Sequence, residues 1–215
     1  METGSTRQGV RTAEVNVQMV RGAMPPARLS FDSGAAYVEV RSAGPDSEEL
    51  LAARFSEPVP LTWTAQHNVH VEYPLTFRLR RRSGPNLVRL NPTVPWALDV
   101  HGGAAHLDAD LTGIDLHSVA CHSGAAHVRF ALGAPAGART LRFASVKTLV
   151  VERPAGVPVR LEIAKGAVNV VLDQRSFGAV GGGLADQTDG YRPDGPGYRI
   201  VVSGGADTVT VREGR

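Results

Sequence analysis

Two nearly identical stretches decide the fold: His101-Gly102-Gly103-Ala104-Ala105-His106-Leu107 and His122-Ser123-Gly124-Ala125-Ala126-His127-Val128. Weaker copies follow at 144–149 and 165–170. The corner positions Gly103, Gly124, Ser145 and Gly166 are each separated by 21 residues. A constant period in this range is typical of stacked structural repeats, in which no single copy can bury its apolar side chains alone.

Apolar residues keep fixed places after the corner. The pattern recurs at 33–38 and 204–209, and in degenerate form at 66–71. Four residues after each corner stand Val38, Val71, Leu107, Val128, Leu149, Val170 and Val209. Two residues further stand Val40, Tyr73, Ala109, Phe130, Val151, Leu172 and Val211. Apolar side chains at every second position predict half-buried strands, because a helix would need a period of about 3.6 residues.

A second strand precedes each corner, and Leu141 and Phe143 mark a one-residue slip in its register. Like positions stack best when neighbouring repeats run parallel. We therefore predict an all-β fold, a single-stranded right-handed β-solenoid of about seven rungs. An antiparallel β-sandwich is the alternative.

The repeats also divide the chain. We expect a disordered tail at 1–11 and a single domain at 12–215. Within it we place irregular rungs at 12–95, regular rungs at 96–173, a Gly/Pro-rich mobile loop at 177–197 and a last rung at 198–212. Thr12–Val20 alternates like an edge strand. Ser47–Phe55 fits either a capped helix or a rung strand, and we favour the strand because a helix would interrupt the stacking.

Composition limits the class of protein. Hydrophobic residues make up 42% of the chain and charged residues 20%, with a formal net charge of +2. This small excess of positive charge is weak evidence for an acidic partner. The chain shows no run of about 20 apolar residues and no signal-peptide core in Met1–Gly9, so we predict a cytoplasmic protein. Cys121 falls in an inward column, where we expect a buried, unreactive thiol.

Histidines supply the candidate metal ligands. His106 and His127 share an outward column on neighbouring repeats, and Asp108 follows two residues after His106. His101 and His122 form a second such pair. Imidazole and carboxylate groups suit zinc. A flat ladder, however, points its side chains in parallel, so exposed histidines without a metal are the default expectation, and we expect no cofactor.

Enzymatic signals are weak. Glu39, Glu72 and Asp108 share a column, and acidic clusters of this kind serve polysaccharide-cleaving solenoids. The sequence shows no P-loop, nucleotide-binding glycine fingerprint or nucleophile elbow. Trp96 is expected to cover an end or corner of the core.

A basic run, Arg78, Arg80, Arg81 and Arg82, precedes a Ser-Gly-Pro-Asn turn. It fits a solvated hairpin tip better than a grip on an anionic surface, and we expect no nucleic-acid partner.

Several of these motifs resemble a known family. The run Trp96-Ala97-Leu98-Asp99-Val100 with its Gly-Gly-Ala-Ala corner, Leu111-Thr112-Gly113-Ile114, and Pro154 to Val159 resemble the toast-rack domain of LiaF-like cell-wall-active antibiotic response proteins and of candidate adhesins. The resemblance implies a β-solenoid with a non-enzymatic role in sensing or assembling partners, often during envelope stress. The family defines no catalytic residues, and this chain lacks the membrane helices of many relatives.

We therefore predict a non-enzymatic interaction or scaffold domain that binds a protein partner, or its own copies, through its end rungs. A carbohydrate-binding or carbohydrate-acting β-solenoid is the alternative function.

Overall fold

The structure is a computed structural model that describes residues 12–18, 26–74 and 86–214. Every regular element in these residues is a β-strand, and together the strands form one mixed sheet. No helix in the described residues is long and apolar enough to span a bilayer. The basic run of Arg78, Arg80, Arg81 and Arg82 lies outside the described residues, as do the tail at 1–11 and the end of the predicted strand Thr12–Val20.

The strands have these bounds: β1 Thr12–Gln18, β2 Ala27–Phe31, β3 Ala35–Ser42, β4 Glu49–Ser56, β5 Leu61–Ala65, β6 Asn68–Glu72, β7 Asn86–Leu90, β8 Trp96–Val100, β9 Ala104–Leu111, β10 Leu116–Leu132, β11 Ala138–Arg153, β12 Val159–Ile163, β13 Ala167–Leu172, β14 Arg175–Val180, β15 Leu184–Gln187, β16 Gly197–Val202 and β17 Ala206–Glu213.

The pairings trace two ladders that share the long strands β10 and β11. The first ladder runs β5-β6-β2-β8-β10-β11-β16-β12-β15. The second runs β1-β4-β7-β3-β9-β10-β11-β17-β13-β14. Neighbours in the middle of both ladders are parallel, whereas the strands at each end pair antiparallel.

The predicted apolar columns form one hydrophobic core. Six of the seven predicted residues lie side by side across the second ladder, all at most 2% exposed: Val38, Leu107, Val128, Leu149, Val209 and Val170. The seventh, Val71, is buried as well but pairs with Phe31 in the first ladder. Leu141 and Phe143 are buried in the first ladder, as the predicted slip requires. The register of β10 against β11 shifts between Cys121 and Gly124, and this irregularity accommodates the slip. Burying each such side chain stabilises the fold by about 1.5–3 kcal/mol.

The order of stacking corrects the prediction of a uniform coil. Repeats follow chain order only from β8 to β11. The first repeat, β2–β3, lies inside the later strands β6 and β7, and the last repeat, β16–β17, lies between β11 and the pair β12–β13. The reason is that the inward columns are equivalent, so a distant repeat buries the same surface as the next one.

Two further predictions have an outcome here. Residues 49–56 form β4, which confirms the strand interpretation and excludes the helix for this segment. Residues 177–197 are more than a loop: β14 pairs antiparallel with β13, and β15 with β12, so the segment supplies the last strand of both ladders at that end.

Trp96 begins β8 fully buried, and its indole N–H donates to the Asn91 carbonyl at 2.9 Å.

Candidate functional site

The predicted ligands His106, His127 and Asp108 are neighbours in the second ladder but do not converge. The rings of His106 and His127 are 6.4 Å apart and tilted by 43°, and His106 stacks instead on Tyr37 at 4.4 Å. The Asp108 carboxylate is bonded by Arg41 at 2.9 Å and contacts Arg129 at 3.5 Å. Two guanidinium groups therefore already contact Oδ1 of the carboxylate that a metal would need.

The other predicted histidine pair does converge, and it gains a carboxylate. His101 and His122 stack with ring centroids 4.5 Å apart and planes within 4°. Ligand atoms of these rings and of Asp99 all lie within 4.8 Å of one another, which is the one such group found in the described residues. Asp99 was not singled out from the sequence. The available signal was a carboxylate inside the otherwise apolar strand Trp96–Val100.

This group belongs to a larger polar surface on the outside of the first ladder. His70 Nδ1 donates to Asp32 at 2.9 Å, and Trp63 stacks on His70 at 5.0 Å with planes within 3°. Asp32 directly follows Phe31, which pairs with Val100, so it stands in the row of His101. We call Asp32, His70, Asp99, His101 and His122 the histidine face.

The predicted acidic column is only partly formed. Glu39 pairs with Asp108 in the second ladder, but Glu72 lies in the first ladder opposite Leu61. The prediction that Glu72 shares the column of Glu39 and Asp108 is wrong, because strand β6 of the degenerate repeat pairs with β2 in the first ladder. Arg41 bonds both Glu39, at 3.3 Å, and Asp108. This pair is therefore neutralised and is not arranged as a catalytic acid and base.

A cavity of about 480 Å³ lies where residues 188–196 fold over the first ladder near its far end. Its wall carries three arginines, Arg139, Arg160 and Arg199, with Glu162 and Tyr191. Hydrogen bonds from Arg199, at 2.7 Å, and Arg160, at 2.6 Å, lower the pKa of the Glu162 carboxyl against the opposing effect of burial. The wall carries more positive than negative charge, with three arginines to one glutamate, and Arg139 is also paired with Asp115 outside the wall at 3.0 Å. We call this cavity the arginine groove.

The opposite end of the first ladder is apolar. Strand β5 pairs with β6 and with no other described strand. Three of the exposed large hydrophobic residues lie there, Val59 at 39% exposure, Leu61 at 67% and Trp63 at 42%. A groove of about 420 Å³ separates β5 from β1, with Val15, Val17 and Val69 in its wall. An edge strand with free backbone groups and apolar side chains is a template for strand addition.

The remaining outer strands carry charge, which β5 lacks. Glu14 of β1 pairs with Arg54 at 2.8 Å. At the far end, Arg175 of β14 pairs with Asp186 of β15 at 2.8 Å and so joins the edges of both ladders. Charged edge strands resist pairing with other chains. Strand β5 is therefore the least protected of the described edges.

Comparison with known proteins identifies the fold class and no family. No family model matches the sequence, and no curated protein matches it significantly. The fold is similar to that of a candidate cell adhesion protein from Clostridium sporogenes, with a TM-score of 0.66 and 13% identity over 96% of this chain and 100% of that one.

A candidate adhesin from Bacteroides fragilis aligns over 96% of this chain and 97% of its own, at 9% identity and a TM-score of 0.33. A candidate lipid binding protein from Parabacteroides distasonis aligns over 97% of this chain and 98% of its own, at 9% identity and a TM-score of 0.29. The chain is thus an all-β protein with the fold of the Clostridium protein.

Proposed function

We propose that this protein is a non-enzymatic interaction domain of the toast-rack type, a modified β-solenoid, and that strand β5 binds a second copy of the same chain. The observation that carries the proposal is the uncharged, apolar edge of β5 among otherwise charged edges. The resemblance to toast-rack proteins and the cell adhesion role suggested for the Clostridium protein agree with a binding function. A link to envelope stress, and the cytoplasmic location, stay predictions.

The sequence of β5 favours pairing with itself. Leu61-Thr62-Trp63-Thr64-Ala65 is nearly palindromic about Trp63. In an antiparallel pair centred on that residue, Thr62 of one copy faces Thr64 of the other, and the two Trp63 side chains meet. Cross-strand threonine and aromatic pairs each contribute about 0.2–1 kcal/mol. The pairing is isologous, so it closes at a dimer.

Because only five residues pair, we expect a weak dimer. Sedimentation velocity over a wide range of protein concentration tests this. W63K places two lysines opposite each other and should abolish the concentration dependence, and L61K should weaken it. Val168, 66% exposed on β13 between β17 and β14, supplies the control V168K, which should dimerise like the parent protein. A strict monomer, or an equal effect of V168K, would reject self-pairing through β5.

The arginine groove supports a second candidate function, the binding of an acidic carbohydrate. Arginine side chains recognise carboxylates through two parallel hydrogen bonds, and Tyr191 offers a ring against which a sugar can pack. Binding of a uronic-acid oligosaccharide, measured by calorimetry, should be lost in R139A and Y191A. R129A, on the second ladder, is the control. Equal binding of a neutral oligosaccharide of the same length would contradict a carboxylate-specific site.

A further inference from the structure

We propose that Asp99, His101 and His122 bind a divalent transition metal ion, with Zn²⁺ the expected ion. Two imidazole nitrogens and one carboxylate oxygen form a common zinc donor set, which leaves a fourth position for water or a ligand. This site is independent of the β5 edge and of the arginine groove.

The backbone places these three side chains together. In the parallel pair of β8 and β10, Val100 lies opposite Cys121, so the following residues, His101 and His122, stand side by side on the outer surface. Asp99 lies two residues before His101 and therefore points to the same face of its strand. The site thus rests on two core strands that are paired on both edges.

The donor atoms must move closer together to share one metal ion. Zinc–nitrogen bonds are about 2.0–2.1 Å long, so a shared ion must draw the two ring nitrogens closer than the present 4.8 Å limit. Both histidines are exposed at the end of β8 and at the matching place in β10. Exposed rings have room to rotate out of the stack toward a shared ion.

Asp99 is a buried carboxylate with one ion-pair partner. Its side chain is 7% exposed and forms an ion pair with Arg28, which is 47% exposed. A buried carboxylate needs a positive partner, and a metal ion would supply that charge in place of the guanidinium. Arg28 has room in solvent to withdraw. The neighbouring carboxylate, Asp32, is already bonded by His70 and Ser30.

The contrasting pair His106 and His127 provides a matched control. His127 lies on β10, as His122 does, and His106 lies on the parallel neighbour β9. The two rings are tilted relative to each other, and the Asp108 carboxylate is already paired with arginine. A difference in zinc binding between variants of the two pairs therefore shows the effect of converging ligands and not of the number of histidines.

The test is calorimetric titration of the full chain, free of any histidine tag, with ZnCl₂, together with the visible absorption of bound Co²⁺. We expect one equivalent to bind. H101A and H122A, which alter exposed side chains, should each weaken binding at least about tenfold. D99N should do the same, with circular dichroism checking that it folds.

The double variant H106A/H127A should bind Zn²⁺ as tightly as the parent protein. Failure of the parent protein to bind Zn²⁺ would overturn the proposal. Loss of binding in H106A/H127A equal to that in H101A would overturn it too, because binding would then follow histidine content at any exposed position.

Discussion

Arg153 and Asp173 are joined across an intervening strand. Arg153 ends β11, Asp173 follows β13, and β17 lies between them, yet the Arg153 guanidinium donates to the Asp173 carboxylate at 2.6 Å. The Arg153 side chain is 2% exposed, and it also reaches Glu213 at the end of β17 at 3.3 Å. One arginine therefore ties together three neighbouring strands that come from distant parts of the chain.

This contact gives a stability prediction. Removing one partner of a buried ion pair costs about 3–5 kcal/mol, and because Asp173 is 28% exposed we expect about 2–3 kcal/mol for R153A. R153M keeps most of the buried aliphatic contact and should cost less. The control R129A, on a side chain 44% exposed, should cost less than about 1 kcal/mol. Urea unfolding measures these values, and equal losses in R153A and R129A would contradict the assignment.

The corner at Gly102 is sterically closed by the neighbouring repeat. A β-carbon there would lie 2.2 Å from the backbone carbon and oxygen of Ser33, whereas one at Gly181 would meet nothing within 4 Å. We expect G102A to lower the free energy of unfolding by about 1–3 kcal/mol, as overpacking does. G181A should leave it nearly unchanged. Thermal unfolding of both variants checks this, and a neutral G102A would show that the two corners can move apart.

The lowered pKa of Glu152 predicts how the stability of the fold depends on pH. Hydrogen bonds from Arg212 and Arg129, both at 2.6 Å, lower the pKa of this carboxyl below its ordinary value of 4.5. The unfolded chain takes up the proton first as the pH falls. The stabilising contribution is therefore complete above pH 4.5 and is lost as the pH drops through the lowered pKa of the folded state.

E152Q should thus flatten the fall in stability in acid and cost about 1 kcal/mol at neutral pH. E48Q, at an exposed glutamate, is the control. Urea unfolding across the acidic range measures how steeply the free energy of unfolding falls with pH in each variant. An acid slope in E152Q as steep as that of the parent protein would exclude Glu152 as a source.

The Cys121 thiol should be unreactive in the folded protein. It is 3% exposed, and burial, with a smaller contribution from the charge of Asp99, raises its thiol pKa to about 12. Only the thiolate reacts readily with disulfide reagents. We expect labelling by such a reagent only in denaturant, whereas the thiol introduced by H127C, outward on the same strand, should react at once. Rapid labelling of the parent protein in native buffer would contradict the buried position.

The candidate sites were only partly readable from the residues. The 21-residue spacing placed His101 beside His122 and His106 beside His127, but it did not show which of the two pairs converges. That difference depends on how nearby charges are shared: Asp108 is held by two arginines, while Asp99 stands beside its histidines with a single arginine partner. The arginine groove was not foreseen, because its wall forms only when residues 188–196 fold over strands from other repeats.

The sequence by itself determined the strands of the regular repeats and the side each one buries, because the alternation of apolar and polar residues allows one choice of face at Val128 or Leu149. It did not reveal β14 and β15, which lack that alternation. It did not determine which repeat lies next to which. Val209 and Val170 offer Leu149 the same aliphatic surface, so burial cannot choose between them. The connecting segments and the Arg153 ion pairs separate those alternatives, and they exist only once the chain is folded.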